Sequence, residues 1–214
     1  MKKTLAMLLA LLLFALPVLG QGAGKWMRYT HPTFGFSLQY PSDWLAVDAG
    51  NIDEYIAAYQ AGTMRHGAAD AEMLSDLAPV TKELNTTWLM DVYGNYITID
   101  YFPADFIMTP EQLAAMILPQ IRRAMELEPY YQDAEFLTDG EIVTYGENTY
   151  ALLAVNVKHS NGVMTADDVL YLPNGANLFE IQITSYDLFS TAQQQFYTEA
   201  RKVLASLTAP PVKE

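Results

Sequence analysis

Apolar and polar positions follow different rhythms along this chain, and each change of rhythm marks an element. The first is an unbroken apolar run from Leu5 to Leu16, preceded by Lys2 and Lys3 and broken by Pro17. From Phe34 to Tyr40 apolar residues alternate with small or polar ones, the period of a strand with one buried face. Pro41 stops that strand, and Trp44 follows as a core anchor. At Asn51 the period becomes helical: Ile52, Ile56 and Tyr59 share a face, and Asn51 with Glu54 three residues on has the form of an N-cap and its capping box. Residues 62–86 are weakly patterned, interrupted by Gly62, Gly67 and Pro79, and read as a loop with one helical turn at most.

Alternation returns at Trp88–Val92 and Tyr96–Phe102, on either side of the turn Tyr93-Gly94-Asn95. In the second run Ile97, Ile99 and Tyr101 point one way, Thr98 and Asp100 the other. Thr109-Pro110-Glu111-Gln112 opens a helix with a threonine cap, a first-turn proline and a capping-box glutamine. Its buried stripe is Leu113, Met116, Ile117 and Ile121, and Pro119 inside it predicts a kink. Strands are then expected at about 134–145, 149–158, 164–172 and 177–185, separated by Gly146-Glu147-Asn148, Asn161-Gly162 and Asn174-Gly175. The Asn-Gly pairs are hairpin signals, because the tight turn needs positive φ at both central residues. A last helix starts at Ser190 with Gln193 as capping partner, buries Phe196, Ala200, Val203, Leu204 and Leu207, and ends before Pro210-Pro211. Consecutive hairpins imply an antiparallel sheet, and the amphipathic helices must bury their stripes on its faces. The fold class is α+β in one domain, residues 28–208, with a flexible lead-in at 21–27 and a tail at 209–214.

The opening apolar run changes the address. It is shorter than the roughly 20 residues that span a bilayer, and Val18-Leu19-Gly20 supplies a small-residue cleavage region. Residues 1–20 therefore read as a secretory signal peptide cut after Gly20, which places the protein outside the cytoplasm, secreted or at the cell envelope. No later run is long enough to span, so the mature domain is not expected to be membrane-embedded. The chain has no cysteine, which removes disulfides, thiol chemistry and a lipid-anchored cysteine. It carries twelve basic and 25 acidic side chains; without Lys2 and Lys3 the remainder has ten against 25, a net charge of −15. Such a surface repels phosphate backbones, so nucleic acid is not an expected partner.

Candidate chemistry is sparse. No Gly-x-Ser-x-Gly elbow occurs. His31, His66 and His159 stand too far apart in sequence for a His-Glu-x-x-His site. The densest acids, Asp48/Asp53/Glu54, Asp133/Glu135, Asp139/Glu141 and Asp167/Asp168, follow no calcium-loop spacing and read as solvated faces. No catalytic residue, metal ligand or cofactor-binding residue is assigned. The chain holds 14 tyrosines. Of these, Tyr93, Tyr96 and Tyr101, with Tyr130 and Tyr131, are the candidates for an exposed aromatic surface that would meet a protein partner.

The stretch from His31 to Trp44, with Phe34-Gly35-Phe36-Ser37, Tyr40-Pro41 and Trp44 at its key positions, resembles the opening of PsbP-like proteins. The resemblance extends over residues 28–208, including the closing Leu204-Ala205-Ser206-Leu207. It implies the α/β/α sandwich that this family shares with a Ran-binding nuclear import factor, and a non-enzymatic accessory role outside the cytoplasm. Plant members dock on photosystem II through basic residues, a mode from which this acidic chain departs. The expectation is an exported accessory or binding domain that contacts an unidentified protein through its sheet face or residues 62–86. The alternative is a secreted protein binding a small ligand or a divalent cation, with weak enzymatic activity at most.

Overall fold

The computed structural model describes residues 25–104, 107–128, 131–186 and 190–210. The expected signal peptide, Tyr130 and Pro211 lie outside these residues. Ten strands and five helices are described: β1 (Trp26–Thr30), β2 (Ser37–Pro41), β3 (Leu45–Val47), α1 (Ile52–Gln60), α2 (Ala71–Leu84), β4 (Thr87–Met90), β5 (Tyr96–Pro103), α3 (Pro110–Met116), α4 (Leu118–Leu127), β6 (Tyr131–Phe136), β7 (Glu141–Tyr145), β8 (Asn148–His159), β9 (Met164–Asn174), β10 (Asn177–Ser185) and α5 (Thr191–Ser206). β1 and β2 form a separate hairpin. The other strands make one antiparallel sheet in the order β3-β4-β5-β10-β9-β8, whose last strand is paired along its length by β7 and then β6.

One face of the sheet is apolar over most of its area. Leu89, Ile97, Ile99, Phe179, Ile181, Leu170 and Tyr150 meet Phe36, Leu38 and Tyr40 of the hairpin segment and Phe196, Ala200, Val203 and Leu204 of α5. Ser37 and Thr208 exchange backbone hydrogen bonds of 3.0 and 2.7 Å, tying the end of the α5 segment to the hairpin. The opposite face is covered in two separate places. α1 and α2 bury Ile52 and Leu74 against Leu45, Val47 and Met90 at one edge. α3 and α4 bury Leu113 and Leu118 against Ala151, Leu153, Val169 and Tyr171 near the other. Between them the central strands turn Thr98, Asp100, Glu180 and Gln182 outward, all only half-buried.

The fold is the expected α+β arrangement, an antiparallel sheet with helices packed on its faces, and six local readings are corrected. Trp26 and Met27, read as lead-in, belong to β1, held by pairing with Tyr40 and Pro41. β3, too short to show a period, pairs with β4. Residues 62–86 contain the 14-residue helix α2, whose Asp70 cap accepts from Met73 N at 2.8 Å. Pro79 inside it deprives the Ser75 carbonyl of its helical donor, but burial of Leu74 and Thr81 holds the helix through that point. The span 134–145 is two strands, because β6 and β7 each cover half of β8. Asn51 is an N-cap without a side-chain cap bond: its amide holds Asp48 N and Ala46 O instead. Thr109, by contrast, forms the full capping box with Gln112. The break before Pro119 falls at Ile117, separating α3 from α4 and leaving Met116 exposed.

Candidate functional site

Two of the five candidate tyrosines come together. On β4 and β5 the alternation that buries Leu89 and Ile97 turns Trp88, Met90 and Tyr96 to the helix-pair face. There they form a pocket of about 340 Å³ with Met73 and Leu77 of α2, Tyr93 in the β4–β5 turn and Tyr186 just beyond β10. The Trp88 and Tyr96 rings lie 5.3 Å apart at 60°, and Tyr96 and Tyr186 lie 6.1 Å apart at 57°. Trp88 is oriented by its indole N–H, which donates to Thr81 Oγ1 at 3.0 Å.

The turn that carries Tyr93 is locked. Asp91, nearly buried, accepts from the backbone N–H of Tyr93 and Asn95 at 2.8 and 2.9 Å and from the Asn95 amide at 2.8 Å. Asn95 in turn accepts from Tyr186 N at 3.1 Å, joining both lips of the pocket. Gly67 lets the segment before α2 lie on this turn. Its φ is +49°, and a Cβ there would stand 2.0 Å from the Val92 carbonyl oxygen. A rigid turn thus holds Tyr93 at 70% exposure beside exposed Val92 and Tyr186.

The other candidates are elsewhere. Tyr101 lies on the opposite face of β5, 4.4 Å from the Phe179 ring and 5.4 Å from Phe34, and is a core residue with no surface to offer a partner. Tyr131 begins β6 at the far side of the sheet, facing His159. Trp88, Met73 and Tyr186 were missed in the sequence. The shared parity of Trp88, Met90 and Tyr96 could have placed Trp88, but nothing local connects residue 186 to residue 93.

The three histidines occupy three separate places. His31 is buried, its Nδ1 accepting from the backbone N–H of Thr33 and Phe34 at 3.1 Å each, so Nε2 carries the proton toward Asn85 O at 3.2 Å. Burial lowers its pKa, opposed by the Asn85 carbonyl and Asp48. His66 donates to Asp43 O, and His159 Nε2 meets Thr165 Oγ1. Asp48 is spent on Tyr29 and on the backbone of its own turn, and Asp53 on Lys82. Among the described residues no three His, Asp or Glu side chains are grouped to hold a metal ion, and no helix is long and apolar enough to cross a membrane.

No protein-family model matches the chain, and no curated protein matches it. Solved structures do. The solution structure of cyanobacterial PsbP (CyanoP) from Synechocystis is similar at 16% identity and a TM-score of 0.49, covering 92% of this chain and 99% of its own. A crystal structure from Bacteroides thetaiotaomicron matches at 15% and 0.47, covering 89% of this chain and 50% of its own. That of LpqN, involved in cell envelope biogenesis of Mycobacterium tuberculosis, matches at 12% and 0.46, covering 87% and 91%. The likeness to these structures is one of fold, in keeping with the PsbP-like stretch His31–Trp44, and it extends to no activity or partner.

Proposed function

We propose that this chain is an exported, non-enzymatic accessory or binding domain, acting at or outside the cell envelope, that receives an apolar side chain of a protein partner in the Trp88–Tyr96–Tyr186 pocket. The observation that supports the reading is Tyr93, a large aromatic held in water at the pocket's lip by a turn that Asp91 and Asn95 make rigid. Exposed aromatics on a preorganised scaffold are the usual anchors of protein interfaces, since ordering them on binding costs little. The pocket walls are largely apolar, and Asp91, the acid among its lining residues, is engaged by its own turn.

The test is site-specific photo-crosslinking in native cells from residue 93, with a control probe at Glu147 at the opposite side of the sheet. A discrete adduct from position 93 is expected, lost when Tyr186→Ala opens the pocket. Truncating a central aromatic of this kind weakens a protein complex by about 2 kcal/mol or more. Equal adducts from both positions, or an adduct indifferent to Tyr186→Ala, would refute the reading.

A further inference from the structure

A second and larger cavity, about 610 Å³, lies on the other face of the sheet, between α5 and strands β8 and β9. It falls within the roughly 300–1,000 Å³ of small-molecule sites. The floor is apolar, from Leu152 and Ala154 of β8 and Ala166 of β9. The space exists because the two alanines are small and Tyr197 props the helix above them, its hydroxyl donating to Ala166 O at 3.1 Å. Gln193, Tyr197 and Arg201, four residues apart on one face of α5, form the roof.

Asp168 lines this cavity. It stands opposite Ala154 on β8 and Ile183 on β10, neither of which can donate to it. Its neighbour Asp167 shows what a settled buried aspartate looks like: it accepts from Thr184 Oγ1 at 2.6 Å, Thr165 Oγ1 at 2.8 Å and Gln182 Nε2 at 3.4 Å. Asp168 is only half-buried and has no hydrogen-bond donor among the described residues, so its acceptor positions are left to the cavity and the water in it. Burial pushes its pKa up to about 6; the Arg201 guanidinium acts in the opposite sense, and Asp167 adds to the rise. Arg201 is close enough to act on it, yet the two form no ion pair among the described residues. Other ionisable groups on the cavity are Tyr145 of β7 and Tyr197, whose pKa burial pushes further up; Arg201 opposes the rise at both and also hydrogen-bonds Tyr145, leaving the rest of its fork to the cavity. Opposite charges thus line one half-apolar chamber without neutralising each other.

We infer that this cavity binds a small zwitterion, an α-amino acid or short peptide, whose ammonium is held by Asp168, whose carboxylate is held by Arg201 and whose apolar body rests on Leu152, Ala154 and Ala166. An ammonium brings the three donors that Asp168 lacks. A carboxylate matches the planar fork of Arg201. The site lies across the sheet from the aromatic pocket, so its test and that of the partner reading succeed or fail separately.

The experiment titrates glycine, L-leucine, L-glutamate, L-lysine and alanyl-alanine into the purified protein near pH 7.5, read by calorimetry and backbone amide shifts. At least one probe is expected to saturate below about 10 mM, with shifts centred on Ala154, Ala166, Asp168 and Thr198. Tighter binding by alanyl-alanine than by the free amino acids would assign peptide spacing to the two charges. For the best probe, the N-acetylated and the carboxyl-amidated forms, each lacking one charge, should bind at least tenfold more weakly. Asp168→Asn, which keeps shape and removes the charge, should weaken the zwitterion about tenfold and leave the N-acetylated form unchanged. Arg201→Gln should do the converse with the amidated form. Near pH 5 wild-type affinity should fall about tenfold while that of Asp168→Asn stays constant. The inference is overturned if no probe saturates, if both capped forms bind as well as the zwitterion, or if neither variant alters binding.

Discussion

Asp167 and Asp168 are consecutive on one strand, yet the pleat sends them to opposite faces and into opposite circumstances. Asp167 is held by three donors; Asp168 faces a cavity with none. Burial dominates the second, so folding favours its protonated form. A carboxyl whose folded pKa is raised contributes stability below its unfolded value near 3.8, and loses it as pH climbs through about 6. Asp168→Asn should therefore melt with wild type near pH 3.5 and above it at pH 8, by on the order of 3 kcal/mol. Urea denaturation of both proteins across that range checks it, and parallel curves would show that Asp168 is solvated. The charge at this site was visible in the sequence as Asp167-Asp168, but both read as a solvated face. Period two says only that they point apart; whether either side is wet depends on what α5 covers.

At the scale of the element, the sequence was most legible where a single signal dominated. The Thr109 cap and the α5 stripe rest on contacts within a few residues and stand as read. The Asn-Gly pairs do mark hairpins, but only Gly162 and Gly175 take positive φ there, and the β9–β10 turn is Gly175-Ala176 with Asn174 still in the strand. α2 was illegible for a local reason. Gly62, Gly67 and Pro79 are breakers, and its helical stripe is weak because only Leu74 and Thr81 are buried. Asp70 ahead of Ala71-Glu72-Met73-Leu74 was the overlooked signal. If tertiary packing rather than propensity holds this helix, Leu74→Ala should cost about 2–5 kcal/mol, while Leu84→Ala, exposed at the helix end, should stay within about 0.5 kcal/mol. Thermal denaturation of the two variants decides the matter, and equal small effects would mean that α2 does not dock as described.

For the whole molecule, the consequence of topology is a sheet with one mostly apolar face, interrupted at Asp168, and one face covered in two patches. The uncovered centre sets Asp100 and Glu180 directly opposite each other on β5 and β10. Burial raises the pKa of both, with Thr86 partly countering the effect at Asp100 and Tyr171 at Glu180. Like charges paired across strands repel by some tenths to about 1 kcal/mol. The sign matches that of Asp168: protonation favours the fold, and stability is lost as pH rises through the raised pKa values. Glu180→Gln should accordingly raise the melting temperature above pH 7 and leave it unchanged in acid. A variant less stable at every pH would instead make the Tyr171–Glu180 contact the stronger term.

The sequence by itself determined the α+β class, most strand and helix positions, and which residues share a face, because period, caps and tight turns depend on neighbours a few residues away. It also carried the export signal as an expectation and the acidic balance as a fact. Only the tertiary structure decided which faces meet. Tyr93 and Tyr96 stand beside Trp88 and Tyr186, while Tyr101 of the same strand is sunk under Phe34 and Phe179. Asp168 opens on a cavity roofed by a helix more than twenty residues further along. Strand order and helix docking are settled by how separate apolar surfaces fit together, and that fit is a property of the packed chain that no local stretch of residues contains.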